Sequence, residues 1–254
     1  MPIIHVGISY QMHGLVVVDS DGNPLRNAII WCDSRAVEIG NKAFEEISPL
    51  KCTESLLNSP ANFTASKLKW VKDYEPELFD KIYKFMLPGD FIAFKLTDKI
   101  STTKNGLSEG IFWDYKSNKI ADWLLDYFGF NSDLVPNIVE NFSPQGYITK
   151  KASAQTGLPE GIPVTYRAGD QPNNALSLNV FNDGEVAATG GTSGVIYAVT
   201  KNKKSKESSR INHFAHVNYS ENNHTIGNLL CINGACSSCA LSYWNSMLFY
   251  RLIV

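Results

Sequence analysis

Short apolar runs alternate along this chain with segments of helical periodicity, and that alternation constrains the fold more than any other feature. The early runs IIHVGIS and GLVVVD are brief and rich in β-branched residues, which is typical of strands. The segment DSRAVEIGNKAFEEI instead repeats apolar residues at helical spacing. Since strands and helices succeed one another in this way, the sequence predicts an α/β fold.

Turn and capping residues refine the prediction for the first part of the chain. The runs at 3–9, 14–19 and 27–31 are expected to form adjacent strands, because Asp-Gly turn chemistry separates the second from the third. Asp33 or Ser34 is expected to cap the helix that follows.

Later segments follow the same reasoning. A helical stretch at 64–82 should break near Pro76. Residues 101–118 are polar and Gly-rich and then aromatic without a clear period, which predicts loop and turn. A strand, a helix and two more strands follow residue 162, and a domain boundary is expected near 165–170.

Composition limits the class of partner. The 254 residues are 44% hydrophobic and 19% charged, which indicates a globular protein rather than a disordered one. The net charge of -2 and the lack of a dominant basic face argue against nucleic acid as a partner. The basic run at 201–210 contains serines and no apolar residue, so it is interpreted as a solvated loop.

The sequence also argues against a membrane protein and against a protein stabilised by disulfides. No segment reaches the ~18 continuous apolar residues of a membrane span, and a strand-like run rather than a leader follows Met1. We therefore expect a cytoplasmic protein without a membrane partner. Five cysteines, an odd number, fit reduced thiols better than a disulfide framework.

One cluster of cysteines and histidines could form a zinc site. The alternative, which we prefer, is a strand end entering a helix, because a structural zinc site needs two ordered ligand pairs. The residues concerned are Cys231, Cys236, Cys239, His213 and His216.

The first apolar run ends in the polar turn SYQMHG. Gln11 and His13 can hydrogen-bond to hydroxyl groups, and Met12 can supply an adaptable apolar wall. That combination suits a carbohydrate. The alternative is that His13 is a structural residue at a strand end.

An acid ends the strand IPVTYRAGD. Asp170 is expected at the mouth of the sheet, where the N-terminus of the next helix favours a negative charge, so it could accept a proton from a hydroxyl. Alternatively, Asp170 only caps the helix that begins near Pro172. Local sequence leaves both roles open.

Two further motifs have both a binding and a structural interpretation. The small residues of ATGGTSG can wrap a phosphate with successive backbone amides, or they can form a tight β-hairpin. Arg35 in WCDSR could reach a ligand, or it could pair with Asp33 or Glu38.

Taken in order, these motifs resemble a known family. The succession QMHG, IIWCDSR, MLPGD, AGDQPNNAL and GGTSGV is similar to that of the FGGY carbohydrate kinases, and the first tetrapeptide is most like that of their xylulokinase members. The similarity runs from about residue 3 to 200.

The resemblance implies a fold and an activity. The fold would be part of the actin-like ATPase, ribonuclease H-like sugar kinase fold, with a sugar-binding lobe at 1–168 and the start of an ATP-binding lobe at 169–254. The activity would be ATP-dependent phosphorylation of a ketopentose, D-xylulose foremost, to its 5-phosphate, with ATP and Mg²⁺ as cofactors. Alternatives are another sugar such as L-ribulose, a polyol, or a non-catalytic sugar-binding fragment. The implied partner is a small-molecule sugar, and a homodimer is one option for assembly.

Roles transfer to individual residues. The family's Met-His pair contacts the sugar, which implies that role for Met12 and His13, and its acid is the base that takes the sugar proton, which implies Asp170. Gln171 stands where the family usually has a sugar-binding Asn. The turn residues expected beside the ATP phosphates are Gly191, Thr192 and Ser193. No metal-binding residue is assigned.

The chain also departs from the family pattern. Family members begin with a hairpin that bears an Asp-x-Gly-Thr-like phosphate loop, and they extend further into the ATP lobe. We therefore expect a fragment with negligible kinase activity on its own, because loss of even one preorganised donor typically costs ~10²- to 10³-fold in rate.

Overall fold

The computed structural model describes residues 3–190, 194–203 and 210–232. Within these ranges the strands are β1 (Val6–Tyr10), β2 (Val16–Val18), β3 (Lys84–Met86), β4 (Ser101–Thr103), β5 (Trp113–Asp114), β6 (Lys119–Ile120), β7 (Asn137–Val139), β8 (Gly146–Tyr147), β9 (Pro163–Gly169), β10 (Val186–Gly190), β11 (Gly194–Thr200), β12 (Asn212–Ala215) and β13 (Ile226–Ile232). The helices are α1 (Val37–Ile47), α2 (Pro49–Ser55), α3 (Thr64–Tyr74), α4 (Pro76–Phe79), α5 (Pro88–Thr97), α6 (Lys104–Glu109), α7 (Asp122–Phe128), α8 (Lys150–Thr156) and α9 (Asp170–Ser177), with a 3-10 turn at Ser132–Leu134.

A small mixed sheet brings two distant parts of the chain together. Strand β1 runs parallel to β9, with Tyr10 opposite Gly169, and β8 pairs antiparallel on the other side of β9. Because β1 and β9 are parallel, their carboxyl ends reach the same edge of the sheet. The residues that follow each strand, 11–13 and 170–171, therefore emerge side by side.

A second, antiparallel sheet has the order β10-β11-β13-β12. Strands β10 and β11 stay paired up to Gly190 opposite Gly194, which agrees with the hairpin interpretation of the small-residue motif. The three residues between them, Gly191, Thr192 and Ser193, lie outside the described ranges.

The main core joins the first half of the chain to the second sheet, whereas buried residues of β1 and β9 form a separate cluster. One apolar cluster includes Phe63 and Leu57 from the first half of the chain and Tyr197 and Phe214 from the second sheet. Burial of each such large side chain contributes about 1.5–3 kcal/mol. A paired amide reinforces the contact, because Asn58 donates Nδ2–H to the carbonyl of His213 (2.6 Å) and accepts the amide of the same residue (2.8 Å).

Two local predictions for the first forty residues are wrong. The three early runs are not adjacent strands: β2 pairs with β3, and residues 27–31 form only one bridge, between Ile29 and Leu15. Non-local pairing decided this, since β1 finds its partner in β9 far along the chain. The cap of α1 is Ala36, while Asp33 forms an ion pair with Arg35 (2.7 Å).

The break near Pro76 is confirmed, because α3 ends at Tyr74 and α4 begins at Pro76. The prediction of loop and turn at 101–118 is wrong, since β4, α6 and β5 occupy most of it. Helix α6 is short, polar and buried, and tertiary partners satisfy its side chains: Asn105 donates to the carbonyl of Ala215 (3.2 Å). The periodicity of a local sequence cannot show partners that lie in distant parts of the chain.

Several expectations concern ligands and membranes. Across the described residues no helix is both long and apolar enough to span a bilayer. Nor does that part of the chain bring three candidate metal ligands together. The ring of His216 is held by the Tyr197 hydroxyl (3.0 Å) and the Val180 carbonyl (2.9 Å) instead. Cys236, Cys239 and residues 204–209 of the basic run lie outside the described ranges.

Candidate functional site

A cavity of about 270 Å³ lies at the carboxyl ends of β1 and β9. Four of its lining residues are those to which the family resemblance assigned sugar binding or catalysis, Met12, His13, Asp170 and Gln171, and Gln11 of the same polar turn lines it as well. The remaining lining residues are Trp31, Val195, Leu229 and Cys231. The parallel pairing of β1 with β9 brings the two polar junctions together, although the paired residues are 158 or 159 positions apart in the chain.

The turn after β1 has an unusual backbone. His13 adopts φ 61°, a left-handed conformation that few residues with a side chain take up. Its ring packs edge-on against Phe63, with 4.7 Å between centroids, and lies 5.1 Å from the ring of Phe214. The imidazole is thus held between two aromatic rings at the wall of the cavity.

The imidazole of His13 is neutral at physiological pH. Burial lowers its pKa to about 3, against the opposing effect of the Glu109 backbone, and the charge of Lys67 lowers it further. Nδ1 lies 3.2 Å from the carbonyl oxygen of Glu109. Because a carbonyl only accepts, Nδ1 is assigned the proton and Nε2 is left as an acceptor for a hydroxyl group.

Asp170 is the first residue of α9. The N-cap of that helix is Gly169, so Asp170 lies inside the first turn and is not the cap residue that the alternative expected. Gln171 donates Nε2–H to Asp170 Oδ2 at 2.9 Å. This leaves Asp170 partly exposed in the cavity with acceptor capacity to spare.

Met12 is a buried residue that lines the cavity. It is 5% exposed and packs against the backbone of Gly169, where a Cβ would lie 2.4 Å from Met12 Cγ. Only glycine allows this approach of the two junctions. The same hypothetical Cβ would lie 2.7 Å from Oε2 of Glu109, a buried acid beneath both junctions.

Sequence reasoning missed part of the lining. Trp31 is 61% exposed, and its backbone amide donates to Gln11 Oε1 at 3.1 Å. The motif that contains Trp31 had been noted, but for Arg35. Val195, Leu229 and Cys231 come from the second sheet. Cys231 had been considered only as a zinc ligand and Val195 only as the end of the small-residue motif, and nothing in the local sequence marks Leu229.

Other candidates lie elsewhere or outside the described residues. Arg35 makes a two-point pair with Asp33 (2.7 and 2.9 Å), and its guanidinium lies 4.5 Å from the ring of Trp70, which confirms the pairing alternative. The predicted ATP-phosphate residues, Gly191, Thr192 and Ser193, fall in the gap between β10 and β11.

Comparisons with known proteins identify the family of this chain. A model of the FGGY family of carbohydrate kinases, N-terminal domain, matches residues 2–177, more than half of the chain. The chain belongs to the FGGY family of carbohydrate kinases.

Among curated proteins of the FGGY family, the chain is similar to xylulose kinases. The chain is 31% identical over 217 residues to the xylulose kinases of Staphylococcus xylosus and Bacillus subtilis, an alignment that covers 83% of this chain and 44% and 42% of those proteins. It is 30% identical over 202 residues to a probable L-xylulose kinase of Haemophilus influenzae. The chain therefore spans less than half the length of the curated relatives it matches.

Solved structures give the same fold. The xylulose kinase of Rhodospirillum rubrum superposes with a TM-score of 0.84 at 23% identity, covering 96% of this chain and 48% of that one. Plasmodium falciparum glycerol kinase with ADP superposes with a TM-score of 0.82 at 21% identity. The FGGY chain thus has part of the actin-like ATPase fold of these sugar kinases, as predicted.

Proposed function

We propose that this chain forms the sugar-binding part of an ATP-dependent ketopentose kinase, with D-xylulose as substrate and D-xylulose 5-phosphate as product. The supporting observation is that His13 and Asp170, from strand ends far apart in sequence, line one small cavity together with Met12 and Gln171. The xylulose kinases among the relatives favour this sugar.

The proposed chemistry follows from the groups in the cavity. The neutral His13 accepts a hydrogen bond from a sugar hydroxyl through Nε2, and Met12 packs against the carbon skeleton. The Asp170 carboxylate orients the terminal hydroxyl and accepts its proton, while that oxygen forms a bond to the γ-phosphorus and the bond to ADP breaks. Gln171 keeps the carboxylate in place through its hydrogen bond.

ATP and Mg²⁺ belong to the same proposal. Mg²⁺ would neutralise charge on the phosphoryl oxygens as the proton leaves the sugar. Asp170 is the carboxylate among the described lining residues, and Mg²⁺ in such enzymes is held by one or two carboxylates plus substrate phosphates. The described lining therefore fits an ion that enters with the nucleotide better than a cage of protein ligands.

Three wider expectations remain predictions. The division into a sugar lobe at 1–168 and an ATP lobe from 169 is proposed from the change of sheet after β9. A cytoplasmic location is proposed because ATP and phosphorylated sugars are intracellular metabolites. A homodimer is retained as an assembly that sedimentation can test.

Calorimetric titration of D-xylulose into the chain tests sugar binding. We expect binding by the wild type and a Kd about tenfold weaker for His13→Ala, since one hydrogen bond contributes ~0.5–1.5 kcal/mol. His5→Ala, at an exposed position, is the matched control and should bind like the wild type. Absence of any binding by the folded wild type would refute the proposal.

A different sugar is the second candidate, favoured by the range of substrates named among the relatives, which includes a probable L-xylulose kinase and a gluconate kinase. A panel of L-xylulose, L-ribulose, gluconate and polyols in the same titration distinguishes these. Release of ADP with the preferred sugar then separates a catalytic chain from one that only binds sugar.

A further inference from the structure

The turn that presents Met12 and His13 to the cavity depends on support from outside the turn. A left-handed residue with a side chain, such as His13 at φ 61°, persists where its surroundings determine its conformation. The polar groups of its own peptide show what those surroundings are. Both the amide and the carbonyl of His13 are bonded to buried, ionisable side chains.

Glu109 and Lys67 hydrogen-bond to the two polar groups of the His13 backbone. The His13 amide donates to Glu109 Oε1 at 2.9 Å, and Lys67 Nζ donates to the His13 carbonyl at 2.7 Å. Glu109 is 2% exposed at the end of α6, and Lys67 is 0% exposed within α3. Burial of such groups is costly unless they are paired, so their position needs an explanation.

The Glu109 carboxyl also reaches the second junction. Its Oε2 accepts the hydroxyl of Tyr10, the last residue of β1, at 3.2 Å. The same oxygen lies so close to Gly169 that a Cβ there would be 2.7 Å away. One side chain therefore contacts the end of β1, the His13 turn and the residue before Asp170.

The pKa of Glu109 reflects this position. Burial raises it well above the usual range, hydrogen bonds from His13 and Tyr10 oppose the rise, and the charges of Asp90 and Asp170 add to it. Lys67, in turn, has its pKa lowered to about 8 by burial, with Asp33 the foremost opposing charge.

We propose that Glu109 is a positioning residue of the sugar site, which with Lys67 holds the His13 turn in its left-handed conformation and in register with Asp170. Glu109 does not line the cavity and acts through His13 rather than by touching the sugar. This inference rests on the proposed sugar-binding function. It adds a residue from a segment that local sequence had marked only as loop.

Two substitutions separate the hydrogen-bonding role from mere filling of space. Glu109→Gln keeps an acceptor for the His13 amide and a polar partner for Tyr10, so D-xylulose should bind within threefold of the wild type. Glu109→Leu fills the same space without an acceptor and should raise the Kd at least tenfold. Glu54→Leu, at an exposed surface pair, is the matched control and should leave the Kd unchanged.

Calorimetry is combined with two checks on the folded state. Far-UV circular dichroism establishes that each variant is folded. The hydrogen-exchange rate of the His13 amide, measured without sugar, reports whether its hydrogen bond to residue 109 is present. We expect that amide to exchange at least tenfold faster in Glu109→Leu than in the wild type. If Glu109→Leu does not fold, Lys67→Met removes the donor on the other side of the same peptide and should weaken sugar binding at least threefold.

The outcomes distinguish this inference from the proposed function. If the wild type binds no sugar, the proposed function is wrong. Unchanged hydrogen exchange of the His13 amide in Glu109→Leu would show that Glu109 does not hold the His13 turn, and would overturn this inference as well. If the wild type binds and folded Glu109→Leu binds equally well, the positioning role is wrong. Equal loss of affinity in Glu109→Gln and Glu109→Leu would also overturn it, because the retained acceptor should rescue binding.

Discussion

The buried ion pair between Arg167 and Asp90 gives the sharpest stability prediction. Arg167 in β9 is 0% exposed and Asp90 in α5 is 1% exposed, with 3.3 Å between Nε and Oδ1. Arg167 also donates Nη2–H to Ser101 Oγ at 2.8 Å. Since Asp170 follows only three residues later, this pair holds the strand that delivers the proposed base.

Removal of one partner leaves the other charge buried without compensation. Such a change typically costs 3–5 kcal/mol, and we expect about 3–5 kcal/mol of lost unfolding free energy for Arg167→Met at pH 7. Burial raises the pKa of Asp90, and the positive charge of Arg167 lowers it in part. Without Arg167 the pKa rises further, so the loss of stability should be smaller in acid, where Asp90 is protonated in both the folded and unfolded states.

Urea unfolding followed by circular dichroism measures this free energy. Lys42→Met is the matched control, because its ammonium lies 3.7 Å from Glu46 on the surface with 71% of the side chain exposed, and such pairs contribute ~0–1 kcal/mol. The double variant Arg167→Met/Asp90→Asn should be more stable than Arg167→Met alone, since no charge remains unpaired. The Asn can still accept the Leu87 amide, which Asp90 Oδ2 accepts at 3.2 Å.

Two results would refute this reasoning. One is a loss below about 1 kcal/mol for Arg167→Met, no larger than expected for the surface pair. The other is a double variant less stable than Arg167→Met, because an unpaired carboxyl could then not be the cause of the loss.

Three further predictions concern the site and the second sheet. Asp170→Asn should leave D-xylulose binding within threefold while lowering ADP release about 10²- to 10⁴-fold in a kinase-active form of the protein, so surviving turnover would contradict its role as base. Gly227→Ala should destabilise the fold by about 1–3 kcal/mol in urea unfolding, because the new Cβ would lie 1.9 Å from the Tyr197 hydroxyl. A Cβ at Gly190 would meet no atom of the described residues within 4 Å, so Gly190→Ala should be near neutral. Burial lowers the pKa of His216 to about 4, so its contribution to stability is full above pH 6.5 and is lost as the pH falls toward 4. His216→Gln should therefore reduce the slope of unfolding free energy against pH, between pH 6.5 and 4.5, by up to ~1.4 kcal/mol per pH unit. An unchanged slope would contradict this assignment.

Local sequence predicted the elements whose signals are themselves local. The strand β1, the break at Pro76 and the strand-to-helix junction at Asp170 all follow from apolar pattern and turn chemistry. The candidate site residues Met12, His13, Asp170 and Gln171 were found because polar groups at strand ends are not needed for a plain turn, and their order matched a family pattern.

The errors share a physical cause. Strand pairing is non-local, so three neighbouring runs were expected to form one sheet, although β1 pairs with β9 and β2 pairs with β3. Helix α6 lacks an amphipathic pattern because it is buried on all sides and its polar groups find partners elsewhere in the fold. Its terminal Glu109 therefore looked like part of a loop.

The residues of this chain, read in order, establish an α/β protein of the FGGY family and identify the polar groups suited to a sugar. They do not establish which strand lies beside which, because hydrogen bonds between strands depend on neighbours that are remote in the chain. Only the folded molecule places Trp31, Leu229 and the buried Glu109 around the His13 turn. Desolvation, which sets the neutral state of His13 and raises the pKa of Glu109, likewise exists only once the surrounding helices have excluded water.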